Sequence, residues 1–395
     1  MSQIKQAVII AGGKGTRLGK LTARIPKPLI KIDGKPFLEY LIEFLINNSI
    51  KEIIILAGFK GKKFLKVSKK YKNVKVFIEH QPLGTGGALI SNINKLDNKF
   101  IFLNGDSFFD INLQKEIILK NTNNHNTLFL VRNNNYKSNK KLSSLKISNK
   151  QLLKYSNQKS NLMYSGISIL NRKDLLSFNK KKNISFENDI IDKLIREKKI
   201  IAKTFKKFFI DIGTKNNLNY AIKKLKSKTK KKCFFFDRDN TLIYDKGYTY
   251  KKKDLKWKFG IINTIKLLNK LDYLVIVVTN QSGVARGYYD EKKVKLFHDH
   301  MNNELKKENA FINDFYYCPF HKNGIGKYKK NSINRKPNNG MLKKAIKKWN
   351  INIKKSFMVG DNHSDFLAAK KTNIKFIMTD NRLFKKVKNI IKNND

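Results

Sequence analysis

Residues 234–241 read Phe-Phe-Phe-Asp-Arg-Asp-Asn-Thr and place two carboxylates, two positions apart, at the end of an apolar run. In an extended backbone, Asp237 and Asp239 would lie on the same side of the chain. Two like charges this close are stable only with a cation between them or with a shared proton. The stretch therefore predicts a buried strand that ends in a site for magnesium-dependent phosphoryl transfer to an aspartate.

Short apolar runs alternate with helical patterns on both sides of a polar junction, which is the rhythm of mostly parallel βαβ sheets. Before the junction, we predict a helix at 37–47 and strands at 7–11, 52–57, 74–78, 100–103, 127–131 and 144–147. After it, we predict strands at 233–236, 273–278, 315–318, 357–359 and 375–378. The junction ends in Lys-Ser-Lys-Thr-Lys-Lys-Lys at 226–232, which is typical of a domain boundary. We therefore predict two α/β domains, residues 1–228 and 229–395.

Composition limits the function classes. The 395 residues are enough for two cores, and 84 Lys and Arg against 30 Asp and Glu give a formal net charge of +54. The excess is mostly lysine spread over every segment, without a recognition helix or an aromatic RNA-binding signature, so coding bias explains it better than nucleic-acid binding. Two cysteines are too few for a disulfide framework, and no apolar run could span a bilayer. We expect a cytoplasmic protein with small-molecule substrates and neither nucleic-acid nor membrane partners, while homo-oligomer formation stays open.

A glycine-rich turn, Gly-Gly-Lys-Gly-Thr-Arg at 12–17, follows the first predicted strand. Glycines bring bare N–H groups close to an anion, although a tight strand-to-helix turn would need the same residues. The spacing matches neither a Walker A loop nor a GxGxxG dinucleotide loop. Further motifs are Pro-Lys-Pro at 26–28, Glu-His-Gln-Pro-Leu-Gly-Thr-Gly-Gly-Ala at 79–88, Asn-Gly-Asp at 104–106 and Phe-Ile-Asp-Ile-Gly-Thr at 209–214.

These elements, in this order over residues 4–222, resemble the sugar-phosphate nucleotidyltransferases, whose Rossmann-like GT-A fold has a mixed sheet. The resemblance implies that a sugar 1-phosphate attacks the α-phosphorus of a nucleoside triphosphate and pyrophosphate leaves. It implies a nucleotide cradle, two cationic groups that neutralise the phosphates, two carboxylates that hold Mg²⁺, and two residues that read the base edge. The nucleotide cradle would be formed by Gly12, Gly13, Gly15 and Thr16, and the phosphates would be neutralised by Arg17 and Lys27. Mg²⁺ would be held by Asp106 and Asp211, and the base edge would be read by Gln81 and Gly86.

The sugar side departs from the family pattern. Relatives carry a Glu-Lys pair before a Gly-Ile strand, whereas residues 157–159 read Asn-Gln-Lys. Lys159 is the candidate contact to the sugar phosphate, with a solvated surface lysine as the alternative. Glu187 matches a family position that faces the sugar, but the helix dipole would also stabilise a carboxylate in a first turn without any substrate.

The second domain carries the opening motif, Thr-Asn-Gln-Ser-Gly-Val-Ala-Arg-Gly at 279–287, Arg-Lys-Pro at 335–337 and Val-Gly-Asp-Asn-His-Ser-Asp at 359–365. Over residues 232–391 these motifs resemble the haloacid-dehalogenase phosphatases, which have a Rossmannoid parallel sheet. The run at 279–287 resembles their branch of heptose 1,7-bisphosphate 7-phosphatases and histidinol phosphatases.

This resemblance implies a role for each motif. Asp237 would attack phosphorus and form an aspartyl phosphate, while Asp239 would protonate the leaving alkoxide and later activate water. Thr279 and Lys336 would hold the transferring phosphoryl group. The resemblance also implies a Mg²⁺ site formed by Asp237, Asp361 and the backbone carbonyl of Asp239. Arg286 and Arg335 would bind the distal phosphate of the substrate.

Two positions depart from that family. Asn240 replaces a glycine, and because Asn tolerates left-handed geometry we expect the turn to survive. Relatives also carry a zinc loop, but the later cysteine positions hold Ser332 and Asn334 here. Cys318 and a displaced His321 do not supply the four ligands of tetrahedral zinc. We expect Mg²⁺ in both domains and no structural zinc.

The two resemblances imply consecutive reactions. The phosphatase would remove the 7-phosphate of D-glycero-D-manno-heptose 1,7-bisphosphate, and the transferase would activate the 1-phosphate, with GTP favoured and GDP-D-glycero-α-D-manno-heptose as the product. The alternative joins a mannose or glucose 1-phosphate nucleotidyltransferase to a phosphatase of histidinol phosphate or another small phosphomonoester, because one sequence does not decode the sugar-selecting loops. A basic interaction protein with one inactive domain would have lost an essential carboxylate or lysine, and none is missing.

Overall fold

The computed structural model describes residues 4–118, 125–132, 145–148, 152–155, 161–178 and 183–393. The chain forms two compact units, Met1–Lys228 and Thr229–Asp395. Within the part described, no helix combines the length and the apolar character needed to cross a membrane.

The first unit alternates strands and helices. Its strands are β1 (Gln6–Ala11), β2 (Lys31–Ile32), β3 (Lys35–Pro36), β4 (Glu52–Ala57), β5 (Val74–Ile78), β6 (Lys99–Asn104), β7 (Ser107–Phe109), β8 (Asn126–Arg132), β9 (Leu145–Ile147), β10 (Leu153–Tyr155), β11 (Leu162–Asn171), β12 (Ile200–Phe205) and β13 (Phe209–Asp211). Its α-helices are α1 (Lys20–Arg24), α2 (Phe37–Asn47), α3 (Phe64–Ser68), α4 (Gly84–Ser91), α5 (Leu113–Ile118), α6 (Asp192–Arg196) and α7 (Lys215–Lys228), and a π-helix covers Phe186–Ile191.

Seven of these strands form a mixed sheet in the order β12-β8-β11-β6-β1-β4-β5. β11 is antiparallel to β6 and β8, while β1 is parallel to β4 and β6. Every residue of β1 is buried, because successive side chains enter apolar clusters on opposite faces of the sheet. Since β1 and β6 are parallel neighbours, the glycine loop and the Asn-Gly-Asp turn that follow them lie at the same edge.

The second unit is a parallel sheet covered by helices. Its strands are β14 (Cys233–Phe236), β15 (Leu274–Asn280), β16 (Asp314–Cys318), β17 (Phe357–Gly360) and β18 (Lys375–Met378). Its helices are α8 (Ile261–Lys270), α9 (Ser282–Ala285), α10 (Glu291–Lys307), α11 (Gly340–Trp349), α12 (His363–Lys370) and α13 (Leu383–Lys392). The strand order is β16-β15-β14-β17-β18, with every pair parallel. The carboxyl ends of β14, β15 and β17 therefore meet at one edge.

The predicted fold class, one mixed and one parallel α/β sheet, is confirmed. The helix at Phe37–Asn47 and the strands β4, β5, β14 and β18 have the predicted bounds, and the others differ by one or two residues. Of the strand predicted at 144–147, residue 144 lies outside the described residues. β14 ends at Phe236, so Asp237 and Asp239 lie in the segment that directly follows the strand. The extended geometry assumed for the two aspartates stays a prediction.

Candidate functional site

The glycine loop of the first unit packs against the Pro-Lys-Pro segment. Gly15 has a φ of 68°, and a Cβ on it would lie 3.0 Å from the methyl carbon of Thr22 and 3.3 Å from Cε of Lys27. Glycine is therefore needed for both the backbone conformation and the close approach. Lys27 is 8% exposed, and its Nζ donates to Oδ2 of Asp106 at 2.8 Å. The loop thus fixes a lysine that holds a predicted metal ligand.

A cavity of about 500 Å³ lies beside this loop. Asp211 reaches it because β13 pairs with β7, opposite Ser107, and its carboxylate accepts from the Gly213 N–H at 2.7 Å. The Arg17 guanidinium lies over the same glycine, since a Cβ there would be 3.4 Å from Nη2. Six predicted residues line the cavity: Gly13, Arg17, Lys27, Asp106, Asp211 and Glu187. Clustered cations and carboxylates of this kind suit a polyphosphate with its metal ion.

The other predicted residues of the first unit do not line this cavity or lie outside the described residues. Gln81 is exposed, and the Gly86 N–H donates to the Ile184 carbonyl at 2.8 Å. The base-reading roles of both residues stay predictions. Neither residue is among those that line the cavity. Gly12 and Thr16 belong to the loop, with Gly12 against Glu79. Lys159 lies outside the described residues.

Glu79 is a candidate that the sequence reasoning missed. A Cβ on Gly58 would lie 3.0 Å from its Oε2, and one on Gly12 would lie 3.3 Å away. Its Oε1 is buried without a hydrogen-bond partner in the described part of the chain, and burial raises the pKa of its carboxyl group. Buried polar atoms without partners are costly, so a ligand that reached Oε1 with hydrogen-bond donors would satisfy it. Like Gln81 and Gly86, Glu79 is not among the residues that line the cavity. The available signal was its place at the carboxyl end of β5, directly before the predicted base-reading segment.

The second unit has a cavity of about 290 Å³ at the carboxyl ends of β14, β15 and β17. Asp237, Asp239, Lys336 and Asp361 line it. Thr279 is fully buried at the end of β15. The fold therefore brings together four residues that were predicted to act in the phosphatase, from three separate motifs.

Lys336 forms a buried ion-pair cluster. Its Nζ lies 2.8 Å from Oδ1 of Asp237 and 2.6 Å from Oδ1 of Asp365, and the lysine side chain is 3% exposed. Burial alone would lower the pKa of Lys336, but the two carboxylates outweigh it and raise this pKa. The ammonium group therefore stays charged beside the proposed nucleophile, where it can face phosphoryl oxygens.

A metal ion would fit beside this lysine. Oxygen atoms of Asp237, Asp361 and Asp365 lie within 4.8 Å of one another. Burial, together with neighbouring carboxylates, raises the pKa of Asp237 and Asp361, so a cation would relieve their repulsion. An all-oxygen donor set suits Mg²⁺. Asp365 was missed, although its position four residues after Asp361, in the first turn of α12, was visible in the sequence.

Asp239 is held by its neighbour Arg238, which is fully buried. The guanidinium donates from Nε to Oδ1 at 2.8 Å and from Nη2 to Oδ2 at 3.1 Å. Burial raises the pKa of Asp239, although Arg238 opposes this effect. Asn240 has a φ of 53°, so the expected left-handed turn is confirmed. That the backbone carbonyl of Asp239 binds a metal ion stays a prediction.

The two arginines predicted to bind a distal phosphate lie near one another. Arg335 is half-buried, with Nη1 donating to the Phe320 carbonyl at 3.2 Å, and Arg286 is exposed. Burial first, and then the charges of Arg335 and Arg286, lower the pKa of His321. Neither arginine is among the residues that line the cavity. Cys318 is buried, and the loop that follows it is tied down by the Tyr328 hydroxyl, which donates to Glu291 at 3.0 Å.

A buried histidine predicts acid sensitivity of the second unit. His298 is 4% exposed, and its Nε2 must accept from Nη1 of Arg238 at 3.4 Å, because a guanidinium only donates. Burial, with the Arg238 charge, holds the pKa of His298 well below its usual value. Below about pH 6.5, His298 therefore binds a proton in the unfolded chain but not in the folded state, so the free energy of unfolding decreases as the pH falls.

We expect this residue to contribute a slope of up to about 1.4 kcal/mol per pH unit to the free energy of unfolding below that pH. Urea unfolding of the full chain, followed by fluorescence of Trp257 and Trp349, reports on the second unit, which holds both tryptophans. His298→Asn should unfold more readily at pH 7.5 but show a shallower loss between pH 6.5 and 5. Equal slopes for the two proteins would contradict a neutral buried histidine.

Comparisons with known proteins agree with both family resemblances. The nucleotidyl transferase family model matches residues 6–228, and the polynucleotide kinase 3 phosphatase model matches residues 232–390. A D-glycero-beta-D-manno-heptose-1,7-bisphosphate 7-phosphatase from Haemophilus influenzae is 39% identical over 144 residues, 36% of this chain and 78% of that protein. A D-glycero-alpha-D-manno-heptose 1-phosphate guanylyltransferase from Campylobacter jejuni is 43% identical over 113 residues, 28% of this chain and 51% of that protein.

A solved structure supports the fold of the first unit. The inositol-1-phosphate CTP transferase from T. maritima aligns with a TM-score of 0.50 at 19% identity, over 57% of this chain and 96% of that chain. The family models and the curated relatives confirm the two family resemblances noted in the sequence. The chain belongs to the nucleotidyl transferase family over its first unit and to the heptose-1,7-bisphosphate 7-phosphatase family over its second, and it is an enzyme with a nucleotidyltransferase and a haloacid-dehalogenase-like phosphatase domain.

Proposed function

We propose that this chain makes a nucleotide-activated heptose in two steps. The second unit removes the 7-phosphate of D-glycero-D-manno-heptose 1,7-bisphosphate, and the first unit transfers a guanylyl group from GTP to the heptose 1-phosphate. The observation that carries the proposal is the pairing of a lysine with carboxylates in each cavity, Lys27 with Asp106 and Lys336 with Asp237. The heptose is taken from the names of the relatives, and that of the guanylyltransferase specifies the α anomer.

In the phosphatase step, Asp237 attacks the phosphorus of the 7-phosphate and forms an aspartyl phosphate. Lys336 neutralises the phosphoryl oxygens, and Asp239 gives a proton to the leaving sugar oxygen and later takes one from water. Mg²⁺ would be held by Asp237, Asp361 and the Asp239 carbonyl, with Asp365 beside them, and would supply further charge neutralisation. Zinc has no part in this proposal.

In the nucleotidyl step, charge neutralisation at the α-phosphate is the main requirement. Arg17 and Lys27 stabilise the phosphate oxygens as pyrophosphate leaves. Asp106 and Asp211 would hold Mg²⁺, which supplies Lewis-acid assistance when bound. Glu187 lines the same cavity and is the proposed contact to sugar hydroxyls.

Glu79 supports GTP as the nucleotide. Guanine offers an N1–H and an N2 amino group on its Watson–Crick edge, and an ionised carboxylate is purely an acceptor. Oε1 of Glu79 is buried without a hydrogen-bond partner in the described part of the chain, so the two guanine donors would satisfy the carboxylate. Bases with one donor group at this edge would leave part of the carboxylate unsatisfied, which lowers their affinity.

Glu79→Gln should therefore change nucleotide choice more than catalysis. We expect kcat/KM for GTP to fall about 10- to 100-fold while the values for UTP and CTP change little, because a lost hydrogen bond to a charged group is worth about 1.5–3 kcal/mol. Pyrophosphate release with each triphosphate measures this effect. Gln81→Ala is the rival variant: if it alters the preference and Glu79→Gln does not, the base is read at Gln81.

The whole proposal is tested by incubating the full chain with heptose 1,7-bisphosphate, GTP and Mg²⁺. Phosphate release, pyrophosphate release and a GDP-heptose detected by mass spectrometry are expected. Faster turnover of histidinol phosphate, or of mannose 1-phosphate with another triphosphate, would favour the alternative pair of activities instead.

A further inference from the structure

We propose that Gln281, itself held by Tyr289, is a positioning residue that fixes Asp239 for protonation of the leaving sugar oxygen. The inference rests on the proposed function, because it takes Asp239 to be the general acid. Neither the family resemblance nor the metal site accounts for Gln281 and Tyr289, and the proposal assigns a role to both.

Gln281 uses its whole side-chain amide inside the protein. It is 1% exposed, and its Nε2 donates to Oδ2 of Asp239 at 2.7 Å and to Oγ1 of Thr279 at 3.0 Å. Its Oε1 accepts from the Tyr289 hydroxyl at 2.9 Å. Oδ2 of Asp239 is an acceptor both when the carboxyl group is ionised and when its proton is on Oδ1, so the amino side of the amide must face Asp239. The tyrosine must then be the donor to Oε1. The direction of the whole chain of hydrogen bonds is thereby fixed.

Tyr289 is built into the segment that it supports. A Cβ on Gly283 would lie 2.4 and 2.5 Å from two ring carbons of Tyr289 and 2.6 Å from its hydroxyl oxygen, so only glycine allows the ring to pack there. The ring also lies against Tyr250, with centroids 4.5 Å apart and ring planes tilted by 32°, and packs against Val284 and Val294. Burial raises the pKa of Tyr289 to about 12, so its hydroxyl remains a donor at neutral pH. The tyrosine is thus a rigid anchor for the Gln281 amide.

The amide completes the set of contacts around Asp239. A carboxylate has about four acceptor positions. Arg238 fills one on each oxygen, and Gln281 fills the second on Oδ2. The position that remains, on Oδ1, is available to the leaving oxygen. The general acid is the protonated form of Asp239, with its proton at this position of Oδ1. The proton passes to the leaving oxygen as the bond from that oxygen to phosphorus breaks and the bond from phosphorus to Asp237 forms, which leaves Asp239 as a carboxylate.

Asn280, the adjacent residue, has a different task and provides a comparison. Its Nδ2 donates to the Lys336 carbonyl at 3.0 Å, and its Oδ1 accepts from the Lys336 N–H at 3.0 Å. It therefore holds the lysine that contacts the phosphoryl group, which every substrate contains. Gln281 holds the acid, which matters only when the leaving group needs a proton.

The test compares two substrates of the full-length enzyme, heptose 1,7-bisphosphate and 4-nitrophenyl phosphate. Nitrophenolate leaves without receiving a proton, whereas the sugar oxygen must be protonated as it leaves. The value of kcat/KM reports only the steps up to departure of the leaving group. General acid catalysis is worth about 10²–10⁴-fold. We expect Gln281→Met to lower kcat/KM about 100-fold for the heptose and at most about 3-fold for the aryl ester, and Tyr289→Phe to lower the heptose value about 10-fold.

Matched variants separate this role from simple loosening. Asn280→Ala should lower kcat/KM for both substrates alike, and Tyr316→Phe, which removes a hydroxyl from β16, should change neither. Equal losses for both substrates in Gln281→Met and Tyr289→Phe, or no loss in either variant, would overturn the proposal. Asp239→Asn should reproduce the substrate-dependent pattern; if it does not, the acid role of Asp239 in the proposed function is what fails.

Discussion

Asp237→Asn should lower phosphate release from heptose 1,7-bisphosphate by at least about 10⁴-fold, because an amide does not attack phosphorus. The fold should tolerate the change. Lys336 and the Arg238 N–H approach the same oxygen, Oδ1, at 2.8 and 2.7 Å, and an amide oxygen accepts both bonds. Colorimetric phosphate assays on the full chain measure the effect, while pyrophosphate release from GTP and a heptose 1-phosphate should continue.

The control for this variant is Asp299→Asn, which removes an exposed carboxylate from α10. It should leave phosphate release unchanged. Trapping the wild-type enzyme with acid and searching for phosphate on Asp237 by mass spectrometry would test the covalent step directly. Phosphate release that survives Asp237→Asn would show that another group is the nucleophile.

Asp106→Asn and Asp211→Asn should each reduce pyrophosphate formation about 10³-fold, the second largest effect expected. Both carboxylates line the same cavity, and Asp106 also holds Lys27. Each substitution would remove part of the negative charge proposed to retain Mg²⁺, which contributes several kcal/mol of transition-state stabilisation. The Mg²⁺ concentration for half-maximal activity should rise in the variants that keep measurable turnover.

Asp97→Asn serves as the matched control, because Asp97 is an exposed carboxylate of the same unit. Phosphate release should be unchanged in all three variants, since the phosphatase residues belong to the other unit. An unchanged Mg²⁺ requirement together with a lost rate would instead assign Asp106 to positioning Lys27 alone.

The element pattern was largely predictable from local sequence. Residues 234–236 form β14 because three consecutive phenylalanines suit a strand that is buried on both faces of a parallel sheet. The α2 helix has its predicted bounds, because its apolar residues recur at helical spacing. The motifs that carry the chemistry are also local, since each turn at a strand end contributes its own short segment.

The candidate sites were predictable only in part. Asp365 was not predicted because its contact with Lys336 depends on the fold, and Glu79 was not predicted because its packing depends on glycines from two other turns. Gln81, chosen by resemblance, is exposed, while Glu79 is half-buried against the glycine loop. A sequence shows which groups can ionise or donate, but not which of them lose water on folding.

The sequence by itself therefore determined the two α/β domains, the order of their strands along the chain, and the aspartate and lysine residues that each motif contributes to the candidate sites. These follow from periodicity and residue type, which are properties of short segments. Only the tertiary structure decided that Lys27 meets Asp106 across 79 residues and that Gln281 meets Asp239 across 42. The reason is physical: hydrogen bonds and charge pairs depend on distance and burial, and the spatial order of strands in each sheet sets both.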